Sequence, residues 1–171
     1  MSSEQMLPLA AQNNNIIRLA VAQALAGANS VVFYATGAIV GNTIAPSPSL
    51  ATLPITLFVL GMAASILPFG ALARKRGRKA AFMAGTGAGV VTGLAAALAV
   101  VLGSFLLFCF AAMLGGAYAA VALSFRFAAT DGVAPERRAR ALSLVMGGGV
   151  AAGIIGPMLV TGTMHLWPTH T

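Results

Sequence analysis

The chain has 171 residues, of which 58% are hydrophobic and 8% charged, against roughly 25% Asp, Glu, Lys and Arg in a soluble domain. Ten basic residues and three acidic ones leave a net charge of +7. No charged side chain occurs from Leu19 to Ala73, from Ala80 to Phe125 or from Ala141 to Thr171. Each of these stretches exceeds the ~20 residues a helix needs to cross the hydrocarbon, which excludes a water-soluble globule and points to a multi-pass membrane protein.

Residues 1–15 are polar, with Glu4 and no base. They lack the basic start, short apolar core and cleavage site of a signal peptide, so they read as a tail preceding the first span. The uncharged run that follows is too long for one crossing and must turn back. Asn42-Thr43-Ile44-Ala45-Pro46-Ser47-Pro48-Ser49 supplies the break, because proline lacks a donor and biases its predecessor away from helix. The first two spans are expected at 17–41 and 50–72. Gly103-Ser104 divides the second run into spans at 80–102 and 105–129, and the last run holds a fifth at 141–163. A membrane domain of residues 16–164 and a short tail of 165–171 result. Open sheet edges do not occur in lipid, so every span is read as a helix. Arg18, the bases of 74–79 and Arg137, Arg138 and Arg140 all fall on one side. The positive-inside rule makes that side cytoplasmic, with the N-terminus inside and the tail outside the inner membrane.

Between the second and third spans stands Gly70-Ala71-Leu72-Ala73-Arg74-Lys75-Arg76-Gly77-Arg78-Lys79. It joins two membrane helices through a turn at Gly77, and it resembles the signature loop of the major facilitator superfamily, G-x-L-A-D-R-x-G-R-K. Gly70, Leu72, Ala73, Gly77, Arg78 and Lys79 occupy their motif positions, Lys75 replaces the arginine, and Arg74 stands where the family has aspartate. The resemblance implies a cytoplasmic gating loop, although a cation at position 74 does not make the contacts of the family's acid. Two plainer readings of the same residues are a nucleic-acid or nuclear-localisation patch and a topogenic cluster at anionic lipid, where each base contributes ~1 kcal/mol. Apolar spans abutting both ends argue against nucleic acid.

A second stretch runs through Phe125-Arg126-Phe127, Asp131, the basic turn from Pro135 to Arg140, and a glycine-rich span containing Gly153-Ile154-Ile155-Gly156-Pro157. It is similar to the cytoplasmic end of helix 4 and to helix 5 of bacterial efflux and small-metabolite carriers of that superfamily. Val160-Thr161 stand where a Gly-Gly pair often follows. Ala111 and Ala112 precede Gly115-Gly116-Ala117 where the family has a helix 4 arginine, so a proton-exchange role tied to that arginine is not carried over. Over residues 15–164 the resemblance implies an all-α integral membrane fold, with five transmembrane helices of a facilitator-type six-helix half-bundle.

Polar residues inside a span cost free energy unless they face protein or water. On the first span, Gln23, Gly27, Ser30, Tyr34, Gly37 and Gly41 fall near one line at about 100° per residue. Helix 1 of the family lines the central cavity, which implies that Gln23, Ser30 and Tyr34 contact substrate, with Asn29 and Thr36 on a neighbouring face. The same stripe reads equally as a packing seam. Gly85, Gly89 and Gly93 satisfy GxxxG twice and are expected to pack against another helix; a dinucleotide fingerprint is not completed around them. Gly156-Pro157 removes one backbone donor and is expected to bend the last span. Asp131, the acid nearest a span, is expected to pair with Arg78 or Lys75 and partly replace the acid absent at position 74. Arg126 either snorkels to the headgroups or meets an anionic substrate. Cys109 is alone and reads as a packing residue, and His165 and His170 read as solvated, so no metal and no cofactor is expected.

These readings converge on part of a secondary active transporter that moves a small molecule by alternating access. Its partners are the lipid bilayer, a small-molecule substrate of unknown identity and the missing transporter half, with no nucleic acid. Family members are built as two six-helix halves with substrate near the midplane, so a chain of five spans is expected to be incomplete and inactive alone. The alternative is a small helical membrane protein that acts by associating with other membrane helices. An enzyme is not expected, because the spans offer no nucleophile-base set and no paired carboxylates.

Overall fold

The computed structural model describes residues 8–131 and 133–163. Among them every regular element is helical: α1 (Leu9–Ile44), a 3-10 turn (Pro48–Leu50), α2 (Leu53–Val101), α3 (Phe105–Leu123), the single turn α4 (Phe125–Ala128) and α5 (Pro135–Thr163). Four stretches are long and apolar enough to cross a membrane: Leu9–Ile44, Pro48–Val101, Phe105–Ala128 and Pro135–Thr163. The sequence predicts five spans. The difference lies in α2, whose 49 residues would extend about 73 Å if straight, more than twice the ~30 Å of hydrocarbon.

It is not straight. Gly77 has φ 83 and ψ 161, a region essentially reserved for glycine because a Cβ clashes there. The helix is broken there, so α2 consists of two helical arms, 53–76 and 78–101, that meet at a kink of one residue in place of the expected loop at 73–79.

Helix ends follow local chemistry more closely than they follow the edge of the charge-free runs. The expected tail of 1–15 is helical from Leu9, with Gln12 N–H donating to the Pro8 carbonyl at 2.9 Å. Water-facing amides do not forbid helix, so α1 continues past the apolar segment. At its other end α1 persists through Asn42 and Thr43, whose hydroxyl donates to the Ile39 carbonyl at 2.8 Å, and stops before Pro46. Gly103, at φ 61, ends α2: its N–H reaches the Val100 carbonyl at 3.2 Å and Ser104 N–H reaches that of Ala99 at 2.8 Å, the paired bonds of a Schellman cap. The expected fourth span is interrupted at Ser124, whose carbonyl accepts from both Phe127 and Ala128. The fifth helix starts six residues early, at Pro135, with proline in the first turn and Glu136 beside it at the positive end of the helix dipole. The tail of 165–171, with His165 and His170, lies outside the described residues.

The chain divides into two compact units, one formed by Val32–Ala122 and the other by the chain up to Val31 and from Leu123 onward. In the Val32–Ala122 unit, Phe33 stacks on Phe58 at 5.2 Å and on Phe108 at 5.6 Å between ring centroids. Ala99, Ala112 and Ala119 complete that core. α3 crosses α2 at small residues: a Cβ at Gly61 would strike the Met113 carbonyl, and one at Gly116 the Phe58 carbonyl. In the other unit α1 meets α5 in the same way, Gly148 lying against the Ala20 carbonyl and Gly27 against Ala152. Lipid tails are as apolar as leucine, so helices in a bilayer gain from close backbone approach more than from burying large side chains. The large side chains accordingly point outward; Leu67, Val101 and Leu106 are each 80% exposed or more.

Candidate functional site

The line of polar and small residues on α1 is divided between the two compact units, Gln23, Gly27 and Ser30 in one and Tyr34, Gly37 and Gly41 in the other. Its glycines are packing positions: Gly27 against Ala152, Gly37 against Ile55 and Phe33, and Gly41 against the Ala51 carbonyl. Thr36 is half-buried and returns its hydroxyl to the Val32 carbonyl at 2.8 Å, which satisfies it within its own helix. Ser30 is half-buried and Asn29 is exposed. Tyr34 is 44% exposed and meets Phe58 edge-on at 5.1 Å. Gln23 sits near Gly149 of α5, and its Oε1 is shut off from solvent without a hydrogen-bond donor. A buried amide oxygen left unpaired costs about 1–3 kcal/mol, so Gln23 is the position on α1 with the strongest demand for a further polar partner.

The basic segment lies at the break in α2. Every residue from Arg74 to Lys79 is exposed, as is Gly70, and a Cβ at Gly70 or Gly77 would meet nothing within 4 Å. Gly77 is required here by backbone conformation alone. Lys75 and Arg78 belong to the Val32–Ala122 unit, whereas Arg126 and Asp131 belong to the other. Asp131 is exposed just after α4. Arg126 is half-buried with its guanidinium over the Phe127 ring at 5.0 Å, a cation–π contact, and its Nε lacks a hydrogen-bond partner.

The helix-packing glycines divide. Gly85 lies against the Val121 side chain and Gly89 against the Tyr118 ring, while a Cβ at Gly93 would meet nothing within 4 Å; the third glycine of the repeat is one turn beyond the crossing. Gly156 lies against Val31 and the Ala28 carbonyl. α5 is helical through Pro157.

Sequence reasoning missed a polar cluster in the unit that contains the chain ends. Arg137 donates from Nη2 to Asn13 Oδ1 at 2.8 Å and from Nη1 to Gln12 Oε1 at 3.3 Å, and Gln12 is only 3% exposed. The partners are more than 120 residues apart in the chain. The sole hint was the run Gln12-Asn13-Asn14-Asn15 ahead of the first span. In the Val32–Ala122 unit, a cavity of about 230 Å³ opens between Leu57, Gly61, Ser65, Met113 and Ala117, with one hydroxyl as its only polar side chain. No group of three or more His, Cys, Asp or Glu that could hold a metal occurs among the described residues.

The family model described as the Major Facilitator Superfamily matches residues 19–170. The riboflavin transporter RfnT of Brucella anthropi is 40% identical over 163 residues, which is 95% of this chain and 41% of that protein. Two uncharacterized MFS-type transporters of Bacillus subtilis, YdeG and YddS, are 30% and 28% identical, each over 142 residues, 83% of this chain and 33% of theirs. The chain thus spans about two fifths of the length of the first relative and one third of the other two. No solved structure matches it.

Proposed function

Because the chain belongs to the major facilitator superfamily, we propose that it is part of a secondary active transporter that carries riboflavin across the inner membrane by alternating access. The observation that carries the substrate is the 40% identity to a riboflavin transporter over 95% of this chain. The transport cycle is assigned to a protein of the relatives' length, since the family holds substrate between two helix bundles and this chain aligns with about two fifths of that relative.

Within this reading, Gln23, Asn29 and Ser30 are substrate-contact candidates in the unit that contains the chain ends, and Tyr34 is a separate candidate in the Val32–Ala122 unit. The exposed Tyr34 ring offers a surface on which a flat aromatic system stacks. The break in α2 at Gly77, with its bases, lies on the cytoplasmic side, where it shapes the inner gate. The N-terminus lies on that side too.

Uptake by a chimera tests the substrate. Cells making this chain fused in frame to the rest of the Brucella anthropi protein are expected to accumulate radiolabelled riboflavin saturably, and cells making the chain alone are expected not to. A chimera that reaches the membrane and carries no riboflavin overturns the substrate. Saturable uptake by the chain alone overturns the requirement for the relatives' length.

A further inference from the structure

A cavity of about 280 Å³ opens where the start of α1 meets the start of α5. Arg137, Arg140 and Asn13 form its polar wall; Ile16, Ile17, Ala141 and Leu144 form the apolar wall. All of these residues belong to one compact unit, and none of them is a carboxylate. We propose that this cavity binds the phosphodiester headgroup of an anionic phospholipid.

Three features lead to that ligand. The first is charge. Arg137 spends two of its five N–H donors on the neutral oxygens of Gln12 and Asn13, which hold the guanidinium in place without neutralising it. Its remaining donors and those of exposed Arg140 suit the oxygens of a phosphate, which guanidinium binds in a forked, charge-assisted geometry. The second is depth. Arg140 is the last charged residue before the charge-free run of α5 begins at Ala141, and Arg18 is the last before that of α1. The cavity therefore lies at the boundary between water and hydrocarbon, where a phospholipid keeps its phosphate. The third is the apolar wall. Leu144, 51% exposed, lies one turn beyond Arg140 on the hydrocarbon side, where it meets the first methylenes of acyl chains, and Ile17, 61% exposed, stands beside Arg18 at the edge of that layer. A free inorganic ion would leave them wet.

The proposal rests on the membrane placement of α1 and α5 and is independent of the substrate carried, so a failed riboflavin assay leaves it standing. Native mass spectrometry of the full chain in detergent, after incubation with phosphatidylglycerol, phosphatidylcholine or inorganic phosphate, tests it. One phosphatidylglycerol is expected to stay bound under conditions that strip phosphatidylcholine. At ~1 kcal/mol per base, R140Q is expected to weaken retention about fivefold and R137Q/R140Q about thirtyfold. R140Q leaves the Arg137 contacts to Gln12 and Asn13 in place, so it reports binding even if the double variant misfolds. L144Q, altering an exposed position, is expected to weaken phosphatidylglycerol retention with both arginines present. Equal retention of phosphatidylcholine, unchanged binding in R140Q, an equal loss in R74Q/R76Q, or displacement by an equal concentration of inorganic phosphate would each overturn the assignment.

Discussion

At Gly77 a Cβ would meet no atom within 4 Å, yet the backbone stands at φ 83. At Gly61 the backbone is ordinary helix, and a Cβ would strike the Met113 carbonyl. Alanine is costly at both for different reasons. G77A strains one residue's backbone, at about 1–3 kcal/mol, whereas G61A forces α3 away from α2, at about 1–3 kcal/mol for overpacking. G93A meets neither obstacle, and alanine's better helix propensity is expected to stabilise by about 0.5–1 kcal/mol. Unfolding of the three variants by titration with a denaturing detergent checks all three signs. Gly77 was legible in the sequence, because a glycine among bases between two apolar runs marks a turn. Gly61 was not, because its role exists only where another helix crosses it.

At the scale of elements, α3 is the most enclosed membrane-spanning helix, half of its most apolar window being buried against 22% or less in the other three stretches. It carries both kinds of large apolar position within a single turn: Phe108 is 4% exposed in the aromatic stack, and Leu106 is 80% exposed. F108A is expected to cost about 3–5 kcal/mol by removing the stack on Phe33 and leaving a cavity. L106A is expected to be close to neutral, and thermal unfolding in mild detergent distinguishes them. The hydrophobicity of this helix is nearly uniform around its axis, so no periodicity told Phe108 from Leu106. The extent of α1 was hidden for a different reason, because its polar first turns continue the helix beyond the lipid-sized segment.

For the whole molecule, the outward-facing apolar side chains suit lipid or other membrane helices and not water. Val90, midway along the second arm of α2 and 58% exposed, is a sensitive position: V90R is expected to lower insertion by about 2.5–3.5 kcal/mol, read as a reduced membrane-integrated fraction in a glycosylation-site reporter. Orientation is open to an equally direct test. Cys109 is buried, so R76C adds the one readily labelled thiol. Under the proposed topology an impermeant maleimide labels it only after the membrane is opened; labelling of intact cells would reverse the orientation and remove the basis for placing the gate inside.

Read alone, the sequence determined that this is a helical membrane protein of the facilitator type, because charge-free runs longer than a bilayer and a glycine-centred basic turn are local properties of the chain. It also located the breaks at Gly77, at Pro46 and at Gly103 to within a few residues. The tertiary structure decided which glycines are contacts, which faces of nearly uniform helices turn inward, and that Arg137 reaches back to Gln12 and Asn13 across most of the chain. In a bilayer both sides of a helix are apolar, so inside and outside are told apart by the shape of the neighbouring helix and not by hydrophobicity.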